Sequence, residues 1–464
     1  MITRFRYDTT QTFSFSGGGV GADAPCTTLL YFPLTPIPDM SIRDEIERWE
    51  ATTVTETLEV LLKGTSAEVI SAVNTIEDIL IKAQRQVNSI VDSGTYIEYQ
   101  ANSNTTVYRS RILDGRVEWS SEPALRKLPA TGDTSVKVYI FITRVGYWED
   151  SETELPLSNT SASGVAATGG RTIYNYDGTT TGHDNWVKID SASIVGRIPA
   201  PIKVKLTNTT GSVQSYKHLH IGVNALADSS MSHQIEGESA YVLSDGSSVA
   251  SGSASNGNLW RVTNVDTTTR RISFTFNAAL MQKTQGRYFR IFGRFLASGS
   301  GVYAKITLRS GSDTGALLAE GNEVLLSGSY DIKDLGTLPL PAGGYNPASE
   351  DIWFVIELRA ATTQTVDLDF LQLYPTESYR YITQSGETLS ANDMIYDNQI
   401  DYPNQIYAED ATLNRRRMLY AAMGRTYVYP NRDNRIYVLY DGASVVHTNT
   451  FSIRAWYRPR VISI

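Results

Sequence analysis

Chemistry in a protein chain needs a nucleophile beside a base, paired carboxylates in a cleft, or a cluster of metal ligands, and few residues of this sequence approach any of these. His218 and His220 stand two apart on a stretch with strand periodicity, which puts both rings on one face; with His183 or His233 they would make a metal site. His-x-His on a polar strand is commonly a surface pair, so no metal ligand is assigned. Asp367 and Asp369, in Thr365-Val366-Asp367-Leu368-Asp369-Phe370, share a strand face where two carboxylates would suit Ca²⁺ or a glycosidase. A solvated face opposite Val366, Leu368 and Phe370 is the simpler reading. Ser298-Gly299-Ser300-Gly301 lacks the strand-to-helix setting of a nucleophile elbow, and Gly17-Gly18-Gly19-Val20-Gly21 lacks the lysine and following helix of a phosphate loop. No catalytic, metal or cofactor-binding residue is assigned, and the chain reads as a non-enzyme.

Aromatic rings are the better functional lead, because sugar-binding sandwiches present them to pyranose faces. Trp260, Tyr288, Tyr303, Tyr330, Tyr345 and Trp353 fall in one strand-rich block. Of these, Trp260, Trp353, Tyr303 and Tyr345 are the candidate glycan-binding residues. One sequence does not say which of them face water.

The elements that would position such residues follow from composition and periodicity. With 464 residues and 41% apolar content, about three domains with packed cores are expected. Frequent Thr, Ser, Val, Ile and Tyr, with 35 Gly as punctuation, point to a mainly β protein. A net charge of −8 and a pI near 5.3 argue against specific nucleic-acid binding. Cys26 is the only cysteine, so no intramolecular disulfide forms, which fits folding in a reducing cytoplasm. The N-terminal stretch lacks the apolar core of a signal peptide, and no run reaches the roughly 18 apolar residues of a membrane span.

Along the chain, alternation from Val54 to Leu62 predicts a half-buried strand ended by Gly64. Thr65 and Glu68 then have the spacing of a capping box. Val69, Val73, Ile76, Leu80, Ala83, Val87 and Ile90 recur in steps of four and three, predicting one long helix over 66–91, roughly 39 Å at 1.5 Å per residue. Its stripe suits a helix laid across a sheet better than a coiled-coil seam. Strands resume to Arg144-Val145-Gly146-Tyr147-Trp148-Glu149, so residues 1–150 make one unit. Residues 151–184, rich in Ser, Thr and Gly, read as a linker or exposed loop. Short strands at regular spacing over 185–380 signal a jelly-roll-like β-sandwich, and 381–464 form a further β block.

Two blocks resemble the siphophage distal tail protein family. The first runs Val54-Thr55-Glu56-Thr57-Leu58-Glu59-Val60-Leu61-Leu62-Lys63-Gly64, then the capped helix, then strands to Trp148-Glu149. The second runs Gly424-Arg425-Thr426-Tyr427-Val428-Tyr429-Pro430-Asn431 through Val438, closing with Tyr457-Arg458-Pro459-Arg460. Together they cover about half the chain. The resemblance implies an N-terminal β-sandwich or barrel with one long helix, completed by the C-terminal segment, with the central sandwich as a peripheral domain. It further implies a homo-oligomer, usually a hexameric ring, in the virion tail or baseplate, with other tail proteins and a host-surface glycan as partners. A glycan-binding or decoration protein of the capsid or tube, working through the central sandwich, is the alternative.

Overall fold

The computed structural model describes residues 2–7, 11–15, 26–31, 33–42, 45–86, 94–101, 105–120, 134–159, 170–174, 184–215, 218–226, 234–240, 245–276, 288–339, 352–383, 388–400, 406–410, 412, 415–417, 422–441 and 450–464. Among them the chain is mainly antiparallel β-structure arranged around three large hydrophobic cores.

The first core belongs to an N-terminal sheet. Its main order is Gln11–Ser14, Ile2–Tyr7, Thr95–Gln100, Tyr108–Trp119, Thr134–Val145, Thr53–Gly64 and Cys26–Leu30. Alternation sets Leu58, Val60 and Leu62 opposite Ile140, Val138 and Val136, and all six are buried. The helix Ser66–Gln86 adds Val69, Val73, Ile76, Leu80 and Ala83 to that core, the Val, Ile and Leu side chains each contributing ~1.5–3 kcal/mol when fully buried. Its start is a reciprocal capping box: Glu68 N–H donates to Thr65 Oγ1 at 3.3 Å, and Thr65 N–H donates to Glu68 Oε2 at 2.7 Å. Gly115 lets the helix come close, since a Cβ there would meet Leu80 Cδ2 at 2.7 Å.

The expectation of an N-terminal unit with a single long helix is overturned. A second helix, Glu45–Ala51, precedes the strand Thr53–Gly64 and buries Ile46 and Trp49. The long one is described over Ser66–Gln86, and residues 87–91 of its expected span lie outside the described residues. The C-terminal segment contributes to this unit at its end: the strand Arg460–Val461 pairs with Trp148–Glu149, Val461 and Ile464 pack on the core, and Tyr427 and Tyr429 pack against Ile46 of the short helix.

The rest of the C-terminal segment builds a second sandwich with residues on the far side of the chain's middle. One sheet runs Arg171–Tyr174, Thr450–Tyr457, Ala200–Asn208, Met394–Asn398, Ile406–Glu409, Arg415–Arg417. The other runs Trp186–Ile189, Asp433–Asp441, His218–Leu226, Tyr379–Thr383, Ala422–Met423. The register Val204↔Ala455 and Ile221↔Val438 brings residues more than 200 positions apart into one core. Residues 151–184, read as a linker, supply Leu155, Leu157 and Ile173 to that core.

The third core is narrower in sequence than the 185–380 block. It lies between a six-stranded sheet and a four-stranded sheet, both drawn from residues 234–375. The six-stranded sheet runs Ser247–Ala250, Asn258–Val265, Gln364–Pro375, Tyr288–Ala297, Asp331–Pro339, with Gln234–Glu236 also on Gln364–Pro375. This sandwich is an insertion in the second one, leaving after Leu226 and rejoining at Tyr379, on strands that are paired neighbours. An aromatic cluster of Phe292, Phe370, Tyr374, Tyr379 and Tyr437 joins the two sandwiches. Gly222 is required there, because a Cβ would lie 1.9 Å from Tyr374 Cδ1.

Candidate functional site

The four-stranded sheet of the inserted sandwich carries a dense set of aligned polar side chains on its outer face. Its strands lie in the order Arg270–Phe276, Ile352–Ala360, Val302–Ser310, Ala316–Leu325. Alternation sends Ile272, Phe274, Ile306, Leu308, Ile356 and Leu358 inward and the residues between them outward. Register then aligns the outward set in rows. Trp353 stands beside Arg309 and Leu317; Ser273, Val355 and Thr307 form the next row; Arg271, Glu357, Lys305 and Glu323 the next; Arg359, Tyr303 and Leu325 the last.

These rows are cross-linked. Arg309 Nη2 donates to Glu357 Oε1 at 2.8 Å, and Arg271 Nε lies 3.9 Å from the same oxygen. Lys305 Nζ donates to Glu320 Oε2 at 2.8 Å. Arg359 forks onto Glu323 at 2.7 and 2.6 Å, and its guanidinium sits 5.0 Å from the Tyr303 ring centroid. That hydrogen bonding holds the Glu323 carboxyl below its ordinary range. Ser273, Thr307 and Val355 are buried although they point outward, and the turn after Ser310 leans over them, with Asp313 Oδ2 3.5 Å from Ser273 Oγ. The result is a charged lattice around a narrow floor. Donors and acceptors alternate across it, which suits a polyhydroxyl ligand that both donates and accepts.

The aromatic residues singled out from sequence are placed differently from an open platform. Trp260 is 7% exposed in the core, its Nε1 donating to Asp245 O at 2.7 Å. Trp353 is 8% exposed at one end of the outer face. Burial of both rings follows from strand alternation and the covering turn, and neither offers a free face for stacking. Tyr303 is half-buried at the other end, under Arg359. Tyr345 lies outside the described residues.

Asp367 and Asp369 are interior ion-pair partners. Asp367 accepts a fork from Arg261 at 2.7 and 2.8 Å. Asp369 is paired with Arg294 and accepts from Ser255 N–H at 2.8 Å and Ser255 Oγ at 3.0 Å. The same Ser255 Oγ is 2.5 Å from Glu236 Oε2, and Gln234 Nε2 donates to Glu236 Oε1 at 2.7 Å. Burial pushes the Glu236 carboxyl up to about 7. In its protonated form Glu236 donates to Ser255 Oγ, which in turn donates a hydrogen bond to Asp369; one hydroxyl thereby links two carboxyls. Arginines account for the acidic pair without a cation.

His218 and His220 belong to the junction between the sandwiches. His218 Nδ1 lies 2.7 Å from Tyr381 OH and His220 Nδ1 lies 2.8 Å from Tyr379 OH, with the ring centroids 6.4 Å apart. Burial pulls the His220 imidazole down to about 3, so it is neutral at physiological pH. His183 and His233 lie outside the described residues, and among the described residues no three His, Cys, Asp or Glu side chains are grouped to hold a metal ion.

Sequence reasoning passed over the charged lattice. Its signal was present as charged or hydroxyl residues at every second position, Arg271 and Ser273, Lys305 to Arg309, Glu357 and Arg359, but such alternation reads as an ordinary solvated face until register aligns the strands.

No protein-family model matches the chain, and no curated protein matches it significantly. Among solved structures it is similar to the CBM22-1 xylan-binding domain of Xyn10C from Paenibacillus barcinonensis, with 11% identity over 31% of this chain and 92% of that one, at a TM-score of 0.23. It is similar to a CBM4 structure with 11% identity over 33% of this chain and 94% of that one, at a TM-score of 0.19. It is also similar to an arabinose-bound MgGH51 α-L-arabinofuranosidase, with 12% identity over 49% and 32% of the two chains and a TM-score of 0.22. At these TM-scores the likenesses carry no argument about what this chain binds.

Proposed function

We propose that the chain is a non-catalytic binding protein whose inserted sandwich takes an oligosaccharide on the outer face of its four-stranded sheet, the other two units acting as scaffold. The observation that carries this reading is the aligned lattice of Arg271, Glu357, Lys305 and Glu323 beside Tyr303. It supplies fixed donors and acceptors next to one ring on a rigid sheet, the combination that orients a sugar. In the ligand-bound form Arg359 swings off Tyr303 and the ring stacks on a pyranose. A glycan array on the full chain tests it. A retained glycan whose affinity falls about threefold to tenfold in Tyr303→Ala, and further in Glu357→Gln, is the expected result. An array with no retained glycan, or retention untouched by both substitutions, removes the reading.

A second reading, a ring subunit at the tip of a phage tail made in the host cytoplasm, draws on a different feature. The segment after Tyr31 exposes Leu34, Ile37 and Met40 at 54%, 92% and 72%. Apolar side chains exposed to water in one segment are suited to a partner surface, and a homo-oligomer would use the same contact in every copy. Light scattering with negative-stain imaging tests this reading. A ring-sized species that reverts to monomer in Ile37→Asp supports it; a monomer at high concentration rejects it.

A further inference from the structure

An open cleft of about 640 Å³ lies on the N-terminal unit, where the strands Ile2–Tyr7, Thr95–Gln100 and Tyr108–Trp119 meet the segment following Glu149. Four arginines line it, Arg4, Arg6, Arg109 and Arg458, against three carboxylates, Glu98, Asp150 and Glu152, which leaves one net positive charge. The carboxylates are engaged. Glu98 takes Arg4 and, at 3.2 Å, Arg6; Glu152 takes Lys203; Asp150 accepts from Ser151 N–H at 2.6 Å.

Arg109 differs from the other three. Its guanidinium sits 4.6 Å from the Tyr96 ring centroid, and its Nε lies 3.8 Å from Glu149 Oε2, beyond hydrogen-bond reach. Both Nε and Nη2 are buried without a hydrogen-bond partner among the described residues. Charged donors left without an acceptor are costly, and with Glu149 too far for a hydrogen bond the exposed quarter of the Arg109 side chain presents an incompletely paired cation to the cleft.

We infer that this cleft binds an acidic monosaccharide unit, of the uronate or sialate class, with its carboxylate on Arg109. One surplus positive charge matches a single carboxylate, whereas the three carboxylates of the wall repel a phosphate dianion. Those same carboxylates, with Thr105, Thr106 and Ser151, supply the acceptors and hydroxyls that a sugar's own hydroxyls need. The volume falls within the range of small-molecule sites. This site is separate from the outer face of the inserted sandwich and stands or falls apart from it.

Calorimetry and saturation-transfer NMR on the full chain, with glucuronate, N-acetylneuraminate, glucose and inorganic phosphate, test the inference. Binding of at least one acidic sugar is expected, with none for glucose, and a loss of about tenfold or more in Arg109→Ala. Tyr303→Ala leaves this binding unchanged, which separates the cleft from the sandwich face. Should Arg109→Ala fail to fold, Arg109→Lys and Thr106→Val decide, each expected to weaken binding about threefold or more with the melting temperature retained. Phosphate bound as tightly as the acidic sugars, glucose bound equally, no acidic sugar bound at all, or indifference of these variants overturns it.

Discussion

Arg144 and Glu56 face each other inside the N-terminal sheet, Nη2 lying 2.6 Å from Oε1 and Nε 3.0 Å from Oε2, with both side chains essentially out of water. The pair does more than neutralise itself. Leu34 N–H donates to Glu56 Oε1 at 2.7 Å, Arg144 Nη2 donates to Leu34 O at 3.0 Å, and Tyr31 OH donates to Glu56 Oε2 at 2.8 Å. The base of the apolar segment that exposes Ile37 and Met40 is thus pinned by a buried charge pair.

Removing one member of that pair strands the other charge. Glu56→Leu is expected to destabilise the N-terminal unit by about 3–5 kcal/mol, and Glu56→Gln by less, because the amide keeps hydrogen-bonding capacity. Urea unfolding followed by tryptophan fluorescence reads the loss; a shift below 1 kcal/mol for Glu56→Leu contradicts the assignment.

The Glu236–Ser255–Asp369 chain predicts a stability that falls as pH rises. Burial lifts the Glu236 carboxyl from its ordinary 4.5 to about 7. Below pH 4.5 it is protonated folded and unfolded alike, so its contribution is complete. Between 4.5 and 7 the unfolded chain ionises first and stability declines, by on the order of 3 kcal/mol once pH exceeds 7. Glu236→Gln flattens this slope. Denaturation curves of the two proteins at pH 5 and pH 8 converge at the lower value and separate at the higher, the variant being the more stable.

His220 carries the opposite dependence. Its imidazole is depressed to about 3 from an ordinary 6.5, so its contribution is full above pH 6.5 and is lost as pH falls through that window. NMR of the His220 ring is expected to show a neutral imidazole throughout pH 5–8. A midpoint near 6.5 would mean that the junction between the sandwiches opens to water.

At that same junction, Gly222→Ala forces a Cβ against Tyr374, and a cost of about 1–3 kcal/mol is expected. Tyr374→Leu in the same chain relieves the clash, so the double variant loses less than the two single losses added together, which differential scanning calorimetry can measure.

How much of this was legible beforehand depends on the distance over which each feature is encoded. The capping box of Thr65 and Glu68 and the stripe from Val69 to Ala83 lie within a few turns of one helix, and sequence spacing displays them directly. The short helix Glu45–Ala51 has too few residues to show a period. The partition of the strands was hidden for the opposite reason. Val204 pairs with Ala455 and Ile221 with Val438, and nothing in either local pattern names its mate, so sequence alone shows contiguous stretches where the fold has interleaved ones. Site chemistry suffered likewise. Asp367 and Asp369 announce a shared face, but Arg261 and Arg294, which occupy them, come from two other strands. Trp260 and Trp353 announce aromatic surface, and only the packed sheets show that it is covered.

The inserted sandwich leaves and rejoins its host through strands where Gly222 stands directly opposite Tyr379. To the host, more than 150 residues therefore behave as one long hairpin loop closed at the last rung of a five-rung ladder, and the entropy of closing such a loop grows only with the logarithm of its length. Evolution can exchange the cassette, or trim it to a turn, with the aromatic seal around Tyr374 and Phe292 as a contact to be re-matched. Changes of sequence can then accumulate in the loop while the frame that carries it keeps its register.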